Sequence, residues 1–421
     1  MLSVFSSLAY GQDAGGSKQA LPDWLDLGFE ARSLAELRTN LNRQADHDDL
    51  INWTRLRLNV NVEATPWLGF RFQGQDARVS GLASWRTRGN VDYLDIREAY
   101  VSLGKPESVQ LHVGRQALDW GDSLLIGSRN WHNVDPGWDA ARLVLHHGQD
   151  QVDIFSMAYV EFEEDTFDRP IQGNRLHGFY GHIRSLIKGG TLEPYFMYAS
   201  QPRVDGIQDL GPDSGAFTWG ARLSGPAADW LTYDFEVTGQ HGRARQIELR
   251  GWATVENVIF GANDLPLRSR VRLRHEYASG DGDGDLNRQS TFDPLHHARH
   301  RHLGIVDVVG RRKIHAVTLG YEGFLHPRWR LRVNRLDFWL ASRFDGLYGI
   351  NGSQAVRAPA DGSAGRSVGS EWDVLLRFST PIEGLTVEGA GGLFYPDKFL
   401  ERQAGEYSRT KLFFLNIEME M

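Results

Sequence analysis

Residues 54–63 set Thr54, Leu56, Leu58, Val60 and Val62 on one side of an extended chain and Arg55, Arg57, Asn59, Asn61 and Glu63 on the other. Successive side chains of a strand point to opposite faces, so this period of two is the signature of a β-strand with one oily face and one wet face. The pattern recurs. Leu68, Phe70 and Phe72 oppose Arg71, Gln73 and Gln75; Leu231, Tyr233, Phe235 and Val237 oppose Thr232, Asp234, Glu236, Thr238 and Gln240. Val271, Leu273 and Tyr277 oppose Arg270, Arg272, Arg274 and Glu276, and Trp372, Val374, Leu376 and Phe378 oppose Glu371, Asp373 and Arg377. At the end, Phe413, Leu415, Ile417, Met419 and Met421 oppose Phe414, Asn416, Glu418 and Glu420. A helical period would mix charge and oil on every face.

Further alternating segments lie near 25–32, 94–103, 108–116, 140–147, 151–159, 174–184, 192–199, 215–223, 247–256, 312–321, 329–338 and 385–394. The total is about 18, an even number, as single-chain bacterial barrels require. No run of about 20 apolar residues occurs, so no spanning helix is expected. A membrane protein without such a helix must be a closed barrel, because lipid cannot satisfy an open backbone edge. The expected fold is all-β: a closed antiparallel transmembrane β-barrel of about 18 strands in an up-and-down meander. A soluble sandwich or propeller would not need so many long strands with a consistently aromatic outer face.

The connections fall into two kinds. Those around 64–66, 104–106, 148–150, 189–190, 225–226, 326–327 and 380–381 are short and suit periplasmic turns. Those at 33–49, 76–92, 117–138, 160–173, 200–214, 279–311 and 341–369 are long and suit extracellular loops. Nothing marks a second domain.

Composition agrees. Aromatic residues make up 11% and Trp numbers 13, yet mean hydropathy is −0.41. Outward apolar residues diluted by inward polar ones give that pairing. A net charge of −8 offers no footprint for nucleic acid. Cysteine is absent, which fits an oxidising compartment. Leu2, Val4, Phe5 and Leu8 before Ala9-Tyr10-Gly11 read as the end of a secretory signal. The expected organisation is a truncated signal-peptide remnant at 1–11, a flexible N-terminus at 12–24 and an outer-membrane β-barrel at 25–421.

The inward face is rich in arginine. Arg55, Arg57, Arg71, Arg222, Arg270, Arg272, Arg274 and Arg377 fall on it, and Arg142, Arg184, Arg330 and Arg332 are expected there. Asp234, Glu236, Glu276, Glu371, Asp373 and Glu388 face the same way. Arginine presents a fixed fork of donors that matches a carboxylate or phosphate. A lumen so lined would attract anions, and the interspersed acids would keep them from binding too tightly to leave. The competing reading is an internal ion-pair network that fills the lumen.

Other motifs carry less. Gly114 and Gly121 would let a loop turn inward and form a constriction. Asp281, Asp283 and Asp285 resemble a calcium loop, but position 292 is Phe where the loop needs Glu. His296, His297, His300 and His302 crowd one loop without a Cys or compact acidic partner for zinc. Gly365-Arg366-Ser367-Val368-Gly369 has the hydrolase spacing, but a Gly-rich loop precedes the serine and a strand follows it, the reverse of a nucleophile elbow. No catalytic residue, metal ligand or cofactor is therefore expected.

Several segments together resemble the alginate export family of bacterial outer-membrane proteins. They are Gly114-Arg115-Gln116 through Trp131, Asp139-Ala140-Ala141-Arg142-Leu143 and Tyr277-Ala278-Ser279-Gly280-Asp281. Thr291-Phe292-Asp293-Pro294-Leu295, His300, Gly304-Ile305-Val306-Asp307, Gly369-Ser370-Glu371-Trp372-Asp373 and Phe394-Tyr395-Pro396 complete the set. The resemblance implies an 18-stranded monomeric barrel with a positively charged pore that secretes an acidic exopolysaccharide, with Arg115 and Arg142 as pore residues. It departs from the family in ending at Met421 rather than at an aromatic residue.

The function expected is therefore an outer-membrane channel passing an anionic substrate through an arginine-lined pore, most simply export of an acidic polysaccharide such as alginate. Its partners would be that polymer, outer-membrane lipid and periplasmic export components. The alternatives are a porin-like uptake channel for small anions and, third, an outer-membrane enzyme.

Overall fold

The computed structural model describes residues 21–40, 48–81, 90–128, 130–135, 137–201, 214–282, 287–404 and 408–421. The signal remnant expected at 1–11 lies outside them, as does most of 12–24.

Eighteen strands form the wall. They are β1 (Leu25–Thr39), β2 (Asp49–Thr65), β3 (Leu68–Gly81), β4 (Asp92–Lys105), β5 (Val109–Gln116) and β6 (Trp138–His147). There follow β7 (Asp150–Glu163), β8 (Thr166–His182), β9 (Thr191–Ala199), β10 (Gly215–Ala228), β11 (Leu231–Ala244) and β12 (Ile247–Gly261). The last six are β13 (Arg270–Ala278), β14 (Ile314–His326), β15 (Trp329–Leu340), β16 (Ser367–Ser379), β17 (Leu385–Pro396) and β18 (Thr410–Glu420). Each pairs antiparallel with the next. β1 then closes on β18, from Glu30 opposite Glu420 to Thr39 opposite Lys411. Closure leaves no edge whose N–H and C=O groups would face lipid.

The two faces match the sequence pattern. On β2, Leu56 and Leu58 stand exposed while Arg55 and Arg57 are buried, and on β3 Phe70 and Phe72 are exposed outward. Trp24, Trp67, Trp230 and Trp329 are exposed at the end that bears the short turns. They form one side of the aromatic girdle that marks a membrane–water interface.

Several strands outrun the roughly 9–11 residues that a bilayer needs. β2 and β8 each have 17. The loops expected at 33–49 and 76–92 are shorter for this reason, since β1 continues to Thr39 and β3 to Gly81. The segment 160–173 is not a loop: β7 and β8 continue as a hairpin turning at 164–165. Beyond the bilayer the outward face no longer needs to be apolar, so pairing persists where the alternation fades. Register shifts between Ala158 and Val160 and between Glu161 and Glu163 disguise it further.

Candidate functional site

The lumen is divided into two levels by loops that fold into it. The connection after β5, 117–137, and the connection after β13, 279–313, enter from the long-loop end and meet at an isolated bridge between Ile126 and His296. Gly121 makes the inward turn at φ +60°, where a Cβ would lie 2.6 Å from the Tyr180 hydroxyl. Gly114, expected in that loop, instead lies in β5 at φ +130°.

These loops bring their own apolar core. Trp120 lies against Phe155 and stacks on Tyr180, with ring centroids 4.7 and 5.3 Å apart. Trp131 stacks on His300 at 3.9 Å. Leu118, Ile126, Phe292, Ile305 and Val306 join one buried cluster with wall residues such as Met157 and Phe338. The half of the barrel at the long-loop end is thus packed with loop residues.

Polar groups of the wall hold the loops. Arg55 donates from Nε to Glu30 at 2.7 Å and from Nη1 to the carbonyls of Asn130 and His132, each at 3.1 Å. Arg57 donates to Glu30, Gln75 and the Asn130 side chain. Arg274 donates from Nη1 to Asp122 at 2.8 Å and from Nε to Glu276, and Arg311 of the second loop lies 3.4 Å from Glu276. Glu371, beside Asp373 on the inward face of β16, accepts the Val306 N–H at 2.9 Å.

Burial and charge set the loop titrations. Burial pushes the His302 imidazole down to about 3; the neighbouring Asp122 opposes this and Arg274 adds to it. Burial alone would raise Asp122, but His302 and Arg274 hold its carboxyl well below the usual range.

Among the remaining expected residues, Arg71 pairs with Glu98, Arg142 with Asp153, and Arg222 with Asp234 and Glu193. All three lie on the lumen face. Arg115 does not. It shares its face with Leu111 and Val113, opposite His112 and Gln116, and holds Asp139 at 2.8 Å and the Asp168 carbonyl at 2.9 Å. The resemblance implied a pore residue, but the register of β5 puts Arg115 at the rim of the wall. Arg184 is likewise outside the lumen, exposed beside the turn at 148–149.

A different group stays unpaired. Arg272, Arg330 and Arg377 form no ion pair within 4 Å among the described residues, and Arg270 reaches only the Asn263 side chain at 3.3 Å. Arg330 sits directly opposite Arg377, and Arg270 opposite Glu322, which in turn faces Arg332. Glu322 lies 3.6 Å from Arg332, and Glu388 is opposite Arg377. Five guanidinium groups thus have two carboxylates as cross-strand neighbours on the inner wall of β13–β17, toward the short-turn end, with Asp122 and Glu420 acting from farther off on Arg272 and Arg377.

Reading the sequence missed the inward ladder of β1: Glu30, Arg32, Glu36 and Arg38 are all buried. Its signal was the alternation of acid and base, hidden because Ser33 and Ala35 make the outward face weakly apolar. The other motifs disperse. His300 binds Asp307, His302 donates to the Asp122 carbonyl, and His296 stacks on Tyr159. Asp281 accepts the Ser290 N–H, while Asp283 and Asp285 lie outside the described residues. Ser367 bonds to the Asp397 carboxylate and opens a strand.

A closed barrel whose lumen is narrowed by its own loops and lined with ionic groups is the architecture of an outer-membrane channel. The chain belongs to the alginate export family, whose model matches residues 23–414. The protein is accordingly an outer-membrane, porin-like β-barrel channel. No curated protein matches the sequence. Among solved structures it is similar to three Pseudomonas aeruginosa proteins. OccK5 (OpdH) has a TM-score of 0.64 at 10% identity, over 94% of this chain and 98% of that one. OpdQ gives 0.62 at 10% identity over 94% and 98%, and OccK3 (OpdO) 0.61 at 13% over 94% and 95%. At such identities the likeness establishes the fold alone.

Proposed function

We propose that the channel passes an anionic substrate, and that its task is export of an acidic exopolysaccharide such as alginate. The observation that carries this reading is the cluster of Arg270, Arg272, Arg330, Arg332 and Arg377, in which Arg272, Arg330 and Arg377 have no ion pair within 4 Å among the described residues. Guanidinium groups left without internal partners hold a positive potential in a water-filled lumen and concentrate anions there. Their forks match the carboxylates of a uronic-acid chain. The paired arginines Arg55, Arg57 and Arg274 contribute differently, by fixing the loops that narrow the path. Arg71, Arg142 and Arg222, balanced by Glu98, Asp153 and Asp234, would keep the lumen polar without holding the substrate fast.

A second reading, uptake of small anions, is favoured by the packed extracellular half of the lumen, through which a polymer could pass only after the loops move. In both readings the channel prefers anions.

The test is the reversal potential of single channels in a planar bilayer. The wild type is expected to favour anions at low salt, less so at 1 M, where charges are screened over roughly 3 Å. Replacing Arg270, Arg272 and Arg377 with Glu should abolish or reverse the preference while the barrel still assembles. A cation-selective wild type would overturn the reading. Block of chloride current by oligouronate added on the periplasmic side would favour the polymer over small anions.

A further inference from the structure

The hairpin of β7 and β8 bends at its extracellular tip across the short strands β5 and β6 and reaches the start of β4. Tyr93 donates its N–H to the Glu164 carbonyl, and Asp168 donates its N–H to Asp95 Oδ2 at 2.7 Å. This contact gathers three carboxylates, those of Asp92, Asp95 and Asp168. Each offers an oxygen, and no two of these oxygens are more than 4.8 Å apart. The side chains are buried, with Asp92 only 1% exposed.

The cationic partners at hand do not balance this charge. Arg115 approaches Asp95 only to 3.9 Å, because its fork is spent on Asp139 and on the carbonyls of Ile96 and Asp168. Asp168 accepts one backbone N–H, from Glu163, and Asp95 accepts that of Ile96. Asp92 is the independent sign of a missing ligand. Its Oδ1 is buried with no hydrogen-bond partner, and its Oδ2 receives only the Gln75 amide at 3.4 Å. A buried ionised oxygen without a partner is costly to leave.

We infer that Asp92, Asp95 and Asp168 form a divalent-cation site, selective for calcium, that clasps the β7–β8 hairpin to β4. Hard carboxylate oxygens select calcium or magnesium over transition metals. Ligand number favours calcium. Oxygens no more than 4.8 Å apart fit across a calcium shell with bonds of about 2.3–2.6 Å, whereas magnesium sheds its water reluctantly and is usually held by only one or two carboxylates. Three carboxylates supply part of a shell of about 6–8 oxygens, and water and backbone carbonyls supply the rest. The clasp lies at the extracellular rim, away from the arginine cluster, and does not depend on what the channel carries.

The experiment is calorimetric titration of the full-length barrel in detergent, stripped with EDTA, using calcium chloride and then magnesium chloride. One calcium is expected per chain, with an affinity in the class of extracellular modules, about 10⁻⁴–10⁻³ M, and weaker uptake of magnesium. Asp92→Asn and Asp168→Asn should each weaken calcium binding by about tenfold or more, since ligand charge sets affinity. Absence of calcium uptake by the wild type, or variants that bind as the wild type does, would overturn the site. A second readout needs no variant: calcium should slow cleavage after Glu163 and Glu164, exposed at the hairpin tip, by a glutamate-specific protease. Cleavage there at the same rate in calcium and in EDTA would also overturn it.

Discussion

Arg274 on the wall and Asp122 on the inward loop are joined by a 2.8 Å hydrogen bond across 152 residues of sequence. The same guanidinium also holds Glu276, so one side chain couples strand, loop and neighbouring acid. Removing one member of a buried ion pair leaves the other uncompensated, at a cost of roughly 3–5 kcal/mol. That cost falls on the loop, because the barrel's own backbone bonding is untouched. Arg274→Gln is therefore expected to assemble normally but to conduct differently, with larger or more frequently fluctuating unitary currents in planar bilayers. Traces indistinguishable from wild type would show that the loop is held by other contacts.

The same junction predicts how acid acts on the channel. His302, facing Asp122, Arg274, Glu276 and Arg311, has its pKa lowered to about 3 from about 6.5. A base buried in its neutral form binds fewer protons folded than unfolded. Its loop placement therefore weakens as pH falls from about 6.5 toward 3, by at most ~1.4 kcal/mol per pH unit. Asp122 acts oppositely to a raised acid: with its pKa depressed, its stabilisation is fully present above the ordinary carboxylate range and is lost only below it. Of this pair, only the histidine should respond between pH 7 and 5. Open probability should rise over that interval in the wild type and less in His302→Gln. An equal pH response of the two would eliminate His302 as the sensitive group.

Buried and unpaired arginines should part company on mutation. Arg55 is fully buried and bonds to Glu30 and two loop carbonyls. Arg55→Ala should lower the temperature at which the folded, fast-migrating form converts to the unfolded form on a gel, consistent with a loss of roughly 3–5 kcal/mol. Arg377, without an ion pair among the described residues, should leave that temperature nearly unchanged when replaced by Ala, while anion preference falls. Equal loss of stability in both would mean that the arginine cluster is structural as well.

The barrel was legible because each strand records its two environments: Leu56 and Leu58 meet lipid, Arg55 and Arg57 do not. All eighteen segments expected from alternation are strands of the wall. Legibility fails where an environment is no longer two-sided. Beyond Ser33 the outward face of β1 is weakly apolar, and register shifts interrupt the β7–β8 hairpin, so neither stands out in the sequence. The site was half legible. Alternation says that Arg57, Arg272 and Arg274 face inward, but it cannot say that Glu30 and Asp122 arrive from elsewhere to neutralise two of them and leave the third. Arg115 shows the other limit: a motif position carries no face, and one residue of register separates the lumen from the rim.

Orientation in the membrane can be tested at single exposed residues. The turns at 148–149, 229–230 and 327–328 are two residues long, whereas the connection at 279–313 has a packed interior of its own. Barrels of this kind place their short turns in the periplasm and their long loops outside, and the exposed Trp67, Trp230 and Trp329 mark the short-turn interface. Ser363 is exposed in the connection after β15, and Lys188 is exposed in the connection after β8. The chain has no cysteine of its own, so a single introduced thiol reports without background. Ser363→Cys should react with a membrane-impermeant maleimide on intact cells. Lys188→Cys and Thr380→Cys should react only after the outer membrane is permeabilised. Labelling of the Thr380 position on intact cells would invert the barrel, and with it the assignment of the arginine cluster to the periplasmic half and of the Asp92–Asp95–Asp168 clasp to the extracellular rim.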